Sequence, residues 1–382
     1  MTFYEERALA MNVIPSSDSL HPAEIPFREP VALPEFYPAS DLEGMTVPPR
    51  EWLVRDLVPS GTVTLLSGDG GTGKSLLALQ LACAVATDGK WLKRQVAGGG
   101  ALFISAEDDD AELHRRLDAV VQALGIRFSD LDRLTICSLA GKDALLAHLD
   151  RATSALSPSA LFDELEKRLE DEKPALLVLD TLADLFPGNE NDRAQARQFV
   201  GLLRGWAIRH DCAVILLSHP SLSGLNNGSG TSGSTAWNNS VRSRLYLERV
   251  FSDSHEPNPD ARVLSTKKAN YGPTGGEISM TWRDGVFVAD PAETGLDRMT
   301  ANAKAERVFL KLLRIFNEMD RHVSPSRSAS YAPTVFAKHP EAEGVGKRAL
   351  SIAMETMLSS GTVVIAEHGR GASVRKHLEV AT

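Results

Sequence analysis

The sequence predicts an α/β protein with a mostly parallel sheet, followed by a small domain of helices and a hairpin. Three observations carry this expectation. Residues 62–75 run from a β-branched and leucine-rich strand straight into a glycine loop, and an apolar helix follows over 76–86. Short apolar strands then recur between helical stretches, the pattern of a sheet covered on both faces. Beyond about residue 300 the composition changes. From Ala301 onward there are 12 Lys/Arg against 8 Asp/Glu, near +4, which leaves near −13 for the rest of a chain of net charge −9.

Taken in chain order, residues 1–40 lack periodicity and carry prolines at 22, 26, 30, 34 and 38. That spacing prevents helix and favours an extended arm. It reads either as a disordered tail or, because Phe27, Leu33, Phe36 and Tyr37 are interleaved, as an arm that packs on a neighbouring subunit. The core is expected over 41–291, with strands at 62–67, 101–106, 175–180, 213–218, 243–250, 262–266, 277–282 and 286–289. The last of these are closely spaced, and Arg283-Asp284-Gly285 is a turn signal for an antiparallel extension. Residues 292–303 read as linker. In 304–382, Val308, Phe309, Leu312, Leu313 and Phe316 make one helical stripe, and Ala349, Leu350, Ala353, Met354, Met357 and Leu358 make another. Thr362–Ala366 and Ser373–Leu378 flank a glycine turn, so this part reads as a winged helix-turn-helix, a module that serves either DNA binding or protein contacts.

At 382 residues and 43% apolar content the chain is long enough for two folded units with real cores. Its acidity excludes a surface that is basic all over, so any nucleic-acid contact must be local. Cys83, Cys137 and Cys212 are unclustered and fit neither a disulfide framework nor a zinc site. No stretch of about 18 apolar residues exists and the N-terminus lacks a signal pattern. These features point to a cytoplasmic protein with no membrane span.

The chemistry gathers at strand ends. Gly68, Gly70, Gly71, Thr72, Gly73, Lys74, Ser75 and Leu76 form the expected nucleotide cradle. The glycines let backbone N–H groups wrap phosphates, Lys74 adds a point charge, and Ser75 offers a hydroxyl to Mg²⁺. A second strand ends at Asp180, the acid expected to organise Mg²⁺ with Ser75. Another ends in Glu107-Asp108-Asp109-Asp110, where Glu107 is placed to activate water, unless these acids only favour the start of the next helix. The strand 213–218 ends at His219, a sensor of the γ-phosphate or a structural histidine. Residues 221–239 are rich in Gly, Ser and Asn and lead into Arg242 and Arg244; the stretch reads as a mobile loop facing nucleic acid, or as a plain connector.

As an ordered set, Gly68–Ser75, Glu107, Asp180, His219 and the run Lys267-Lys268-Ala269-Asn270-Tyr271-Gly272-Pro273-Thr274-Gly275 resemble the RecA-like ATPase core of hexameric replicative helicases. The nearest likeness is to plasmid RepA-type helicases and their phage and prophage AAA-type ATPase relatives, with DnaB and KaiC more distant. It covers about residues 41–290. The resemblance implies ATP with Mg²⁺ as cofactors, a homo-oligomeric ring such as a hexamer, single-stranded DNA as partner, a replication initiator or primase as a further partner, and helicase or translocase activity in plasmid or phage replication. It also makes Lys268 a cation donated to the neighbouring subunit's γ-phosphate. DnaB-like members have K-x-R where this chain has Asn270, and an amide cannot replace an arginine fork. That departure favours a second class, a nucleotide-switched loader without sustained unwinding. A third is a regulatory ATPase without nucleic acid.

Overall fold

The computed structural model describes residues 36–219, 235–251, 256–291, 295–326, 328–368 and 375–381. The arm up to residue 35 and the loop from 220 to 234 therefore lie outside the described residues.

The fold is α/β, built on a nine-stranded sheet. Its strands in chain order are β1 (Val63–Gly68), β2 (Ala101–Ser105), β3 (Leu134–Ser138), β4 (Leu176–Asp180), β5 (Ala213–Ser218), β6 (Ser243–Arg249), β7 (Ala261–Ala269), β8 (Glu277–Arg283) and β9 (Val286–Ala289). The spatial order is β9-β8-β7-β6-β1-β5-β4-β2-β3. From β6 to β3 every pairing is parallel. The glycine-loop strand and the Asp180 strand are thus separated by β5, with Ser218 in register with Ser67 and Asp180 in register with Ser105. All the loops that follow these parallel strands emerge on one rim, where such sheets hold ligands.

All eight strands expected from the core sequence form. β1, β2, β4 and β5 are buried along their whole length, which is why they read as continuous apolar runs. β3 is an addition to that set. It is an edge strand with Leu134, Thr135 and Cys137 only half-buried and Ile136 exposed, so it offers no apolar run to read. The turn between β8 and β9 places both Asp284 (φ 49°) and Gly285 (φ 87°) in the left-handed region, the type I′ geometry suited to a hairpin.

Helices α1 (Lys74–Ala86), α2 (Asp110–Leu124), α3 (Ala160–Glu172) and α4 (Arg193–Arg209) connect the parallel strands. α1 is buried on almost every side, as its uniformly apolar sequence requires. α4 presents Phe199, Val200, Leu203 and Trp206 to the core, and Trp206 stacks on Phe162 of α3 with ring centroids 4.0 Å apart. The expected loop 221–239 is corrected at its end. Residues Thr235–Ser240 form a short helix, α5, and Trp237 is fully buried, edge-on to Phe186 and donating its indole N–H to the carbonyl of Glu190 at 2.9 Å. Burial of the indole outweighs the polar composition around it.

By contacts the chain divides into two compact units. One comprises the described residues up to Leu247 with Ser265–Glu277 and Asp284–Val286; the other comprises Glu248–Leu264, Ile278–Arg283 and Phe287 onward. The second unit contains α6 (Gly295–Glu318), α7 (Ala332–Ala337), α8 (Lys347–Ser359) and an antiparallel hairpin of β10 (Val363–His368) and β11 (Arg375–Val380). Both expected stripes face a core of their own, with Phe336 of α7 set edge-on to Phe309 and Phe316. Residues 295–303, expected as linker, are the first turns of α6. The run Thr-Ala-Asn-Ala-Lys-Ala-Glu has good helix formers but no apolar stripe, so periodicity alone starts the helix too late.

Candidate nucleotide site

The glycine loop is shaped by local backbone demands. Gly73 caps α1 in the left-handed region at φ 94°, and a Cβ on Gly68 would run into the carbonyl oxygen of Leu247 on β6. Gly71 is also left-handed, at φ 68°, while a side chain at Gly70 would meet open space. Thr72 is buried and its hydroxyl donates to the Asp69 carbonyl at 2.8 Å. Leu76 is buried at the start of α1, where the positive end of the helix faces the loop.

Lys74 is 6% exposed and folds back on the loop, its ammonium donating to the carbonyls of Gly68 at 2.8 Å and Asp69 at 3.0 Å. Burial lowers its pKa, opposed by the charges of Asp180, Glu107 and Asp69. The ammonium also lies 3.3 Å from His219 Nδ1, whose other nitrogen, Nε2, is 3.5 Å from Glu107 Oε1. An ammonium has only protons to give, so Nδ1 accepts and the ring proton sits on Nε2, toward Glu107. A lysine, a histidine and a carboxylate from three different strand tips are thereby linked in one line.

Asp180 is 1% exposed, hydrogen-bonded to Ser75, and burial pushes its pKa up to about 7. Its Oδ2 has no hydrogen-bond partner. A buried carboxylate oxygen left unpaired beside a serine hydroxyl fits a hard divalent cation such as Mg²⁺. The strand tips are laced together here, with Ala106 N–H donating to the Asp180 carbonyl at 2.6 Å.

The acidic run after β2 divides its contacts among different partners. Asp109 caps α2, its carboxylate accepting from Glu112 N–H at 2.7 Å. Asp108 is ion-paired to Arg116, with burial raising its pKa. Glu107, its side chain 44% exposed, is left facing His219. Two acids that the sequence does not single out border the same rim. Asp184 and Glu190 both have pKa values raised by burial. A carboxylate a few residues beyond a strand tip is the only sequence signal that marks Asp184.

Lys268, Arg242 and Arg244 are not part of this cluster. β6 runs parallel to β1 with Leu247 opposite Gly68, and Arg242 N–H donates to the Val63 carbonyl, so Arg242 lies at the far rim. Asn270 N–H donates to the Arg242 carbonyl, which brings the end of β7 to that same rim. About five residues of strand separate it from the loop, about 17 Å at roughly 3.3 Å per residue. Lys268, two residues before Asn270, turns its ammonium away from the phosphate loop of its own subunit. Its ammonium instead donates to the carbonyls of Asn238 at 2.7 Å and Asn239 at 3.4 Å, and its pKa is lowered by burial and then by Arg242. Arg244 corrects the expectation of a nucleic-acid contact: it is 4% exposed, donates to Ser67 Oγ at 3.3 Å, and offers no surface. Arg242 is half-buried and keeps part of its side chain accessible.

Among the described residues no helix is long and apolar enough to cross a membrane. Comparison with known proteins gives a match to the AAA domain family over residues 28–224. The DNA repair protein RadA of Synechocystis sp. is 26% identical over 227 residues, 57% of this chain and 38% of RadA. The chain thus spans well under half the length of that relative. Among solved structures, a KaiC-like protein from Pyrococcus horikoshii OT3 aligns with TM-score 0.44 and 16% identity over 63% of this chain and 94% of its own. A RadB recombinase aligns with TM-score 0.42 and 17% identity over 62% and 93%.

Proposed function

This chain belongs to the AAA domain family, and from that premise we propose that it is a Mg²⁺-dependent ATPase that assembles into a ring and acts on single-stranded DNA, as a helicase or translocase in plasmid or phage replication. The observation that carries the reading is the convergence of Lys74, Ser75, Asp180, Glu107 and His219 at one rim while Lys268 lies at the other. A cation placed there can serve a phosphate only in the next subunit. In this reading ATP lies on the glycine loop, with backbone N–H groups and Lys74 on its phosphates. Ser75 and Asp180 would hold Mg²⁺, which would neutralise phosphate charge when bound. Glu107 takes the proton of the attacking water. His219 reports loss of the γ-phosphate to the chain that follows it, and that chain ends at α5, anchored by Trp237 and tied to Lys268 through the Asn238 carbonyl.

The relative named as a DNA repair protein supports action on DNA. The C-terminal unit, three helices followed by a hairpin, supports a winged-helix-like module for DNA or protein contact, such as with a replication initiator or primase. A second reading, a nucleotide-switched loader, is favoured by Asn270, which puts an amide where relatives of the helicase type carry arginine. One experiment separates them: steady-state ATP hydrolysis with and without single-stranded DNA, beside strand separation on a forked duplex. Stimulation with unwinding supports the motor and stimulation alone supports the loader. Absence of both overturns action on DNA.

A further inference from the structure

Three histidines meet in the C-terminal unit, which does not carry the glycine loop. His322 follows α6, His368 ends β10 and His377 lies within β11. One nitrogen from each ring lies within 4.8 Å of the others. The ring centroid of His322 is 4.1 Å from those of both His368 and His377. The backbone fixes this meeting. Ala366 pairs with His377 and His368 with Arg375, so the two hairpin histidines are diagonal neighbours on one face. Leu378 N–H donates to the Val323 carbonyl at 3.0 Å, which holds the segment bearing His322 against the same strand.

We propose that these imidazoles form a Zn²⁺ site. The chemistry of His377 points inward: its Nε2 faces Glu379 Oε1 at 2.8 Å, which keeps the proton there and leaves the Nδ1 lone pair aimed at His368 Nδ1, 3.2 Å away. Two nitrogens bound to one tetrahedral zinc at about 2.0–2.1 Å stand about 3.3 Å apart. The observed separation of His368 and His377 is already that of a ligand pair, and His322 would have to bring its nitrogen in from within 4.8 Å. Glu379 behind His377 is the outer arrangement that orients histidines on zinc, while Asp320 Oδ1 lies 3.6 Å from His322 Nε2 as a looser, exposed ion pair. Imidazole donors select zinc or a neighbouring transition ion over Mg²⁺ or Ca²⁺. His322 is exposed, which leaves a fourth position open to water. The ion would clip the hairpin to the end of α6, so binding and stability of this unit are coupled.

The test is Zn²⁺ titration of the full chain after chelator treatment, read as bound metal per chain at equilibrium and as thermal midpoint. One Zn²⁺ per chain with a raised midpoint is expected. His322→Gln and His368→Gln should each weaken binding at least tenfold and abolish the midpoint rise, while ATP hydrolysis is unchanged. His377 is buried and its replacement risks misfolding, so the two accessible histidines carry the test, with circular dichroism as the check on folding. Asp180→Asn serves as the control for zinc at the nucleotide site and should keep the stoichiometry. Failure to bind Zn²⁺, or binding that both histidine variants leave intact, would overturn the proposal and mean that the rings only hydrogen-bond to one another.

Discussion

Replacing Asp180 by Asn should stabilise the nucleotide-free protein at pH 8 even though it removes the carboxylate proposed to hold Mg²⁺. In the folded chain burial raises this carboxyl to about 7, against an ordinary value of 3.8. Between those values the folded state holds the proton and the unfolded state does not, so stability falls as pH rises through that window. The full penalty at pH 8 is about 4 kcal/mol, since each tenfold loss of acidity on folding is worth about 1.4 kcal/mol. Asn removes the charge and keeps a group able to bond Ser75. The raised value already includes the favourable charge of Lys74, and an amide bonds this buried tip less well than the protonated acid does, so roughly 2 kcal/mol is the expected net gain. This corresponds to about 4–8 °C in the thermal midpoint for a unit of this size. The assay is thermal unfolding of wild type and variant from pH 4 to pH 8 without nucleotide. The gain should shrink to nothing near pH 4. A variant that melts lower than wild type at pH 8, or a difference that does not change with pH, would refute a desolvated carboxylate at this tip.

Glu107→Gln should bind ATP with near-native affinity yet turn over about 10²–10⁴ times more slowly, measured by calorimetry beside steady-state hydrolysis; a fully active variant would remove Glu107 as the base. Gly68→Ala should weaken ATP binding by at least tenfold, because its Cβ meets the Leu247 carbonyl and the glycine loop must shift. Native affinity in that variant would mean the loop tolerates a different path.

The parts of the site that are legible in the sequence are local ones. The glycine loop declares itself because each residue acts through its own backbone or through neighbours a few positions away. β4 ends in Asp180 after a buried apolar run, so the change from apolar to acidic marks the tip. The line from Lys74 through His219 to Glu107 depends on β5 lying between β1 and β4 in the sheet, an order that no local pattern encodes. Arg244 misleads for a related reason. A charge near a polar loop reads as surface, but β6 is an interior strand, and its hydrophobic neighbours carry Arg244 inward to the Ser67 hydroxyl. Trp237 shows the converse, an aromatic at the end of a Gly/Ser/Asn stretch that anchors what composition alone makes a loop. The histidine cluster is invisible in the sequence because its members are separated by 46 and 9 positions, and only the hairpin register and the Val323–Leu378 bond bring them together.

The most direct test of a site shared between subunits is to mix Lys74→Ala with Lys268→Ala, each inactive alone, over a range of ratios and measure ATP hydrolysis. A neighbour-donated lysine predicts that activity returns in the mixtures, since hybrid interfaces pair an intact glycine loop with an intact Lys268. Mixtures that stay inactive at every ratio while still assembling would contradict it.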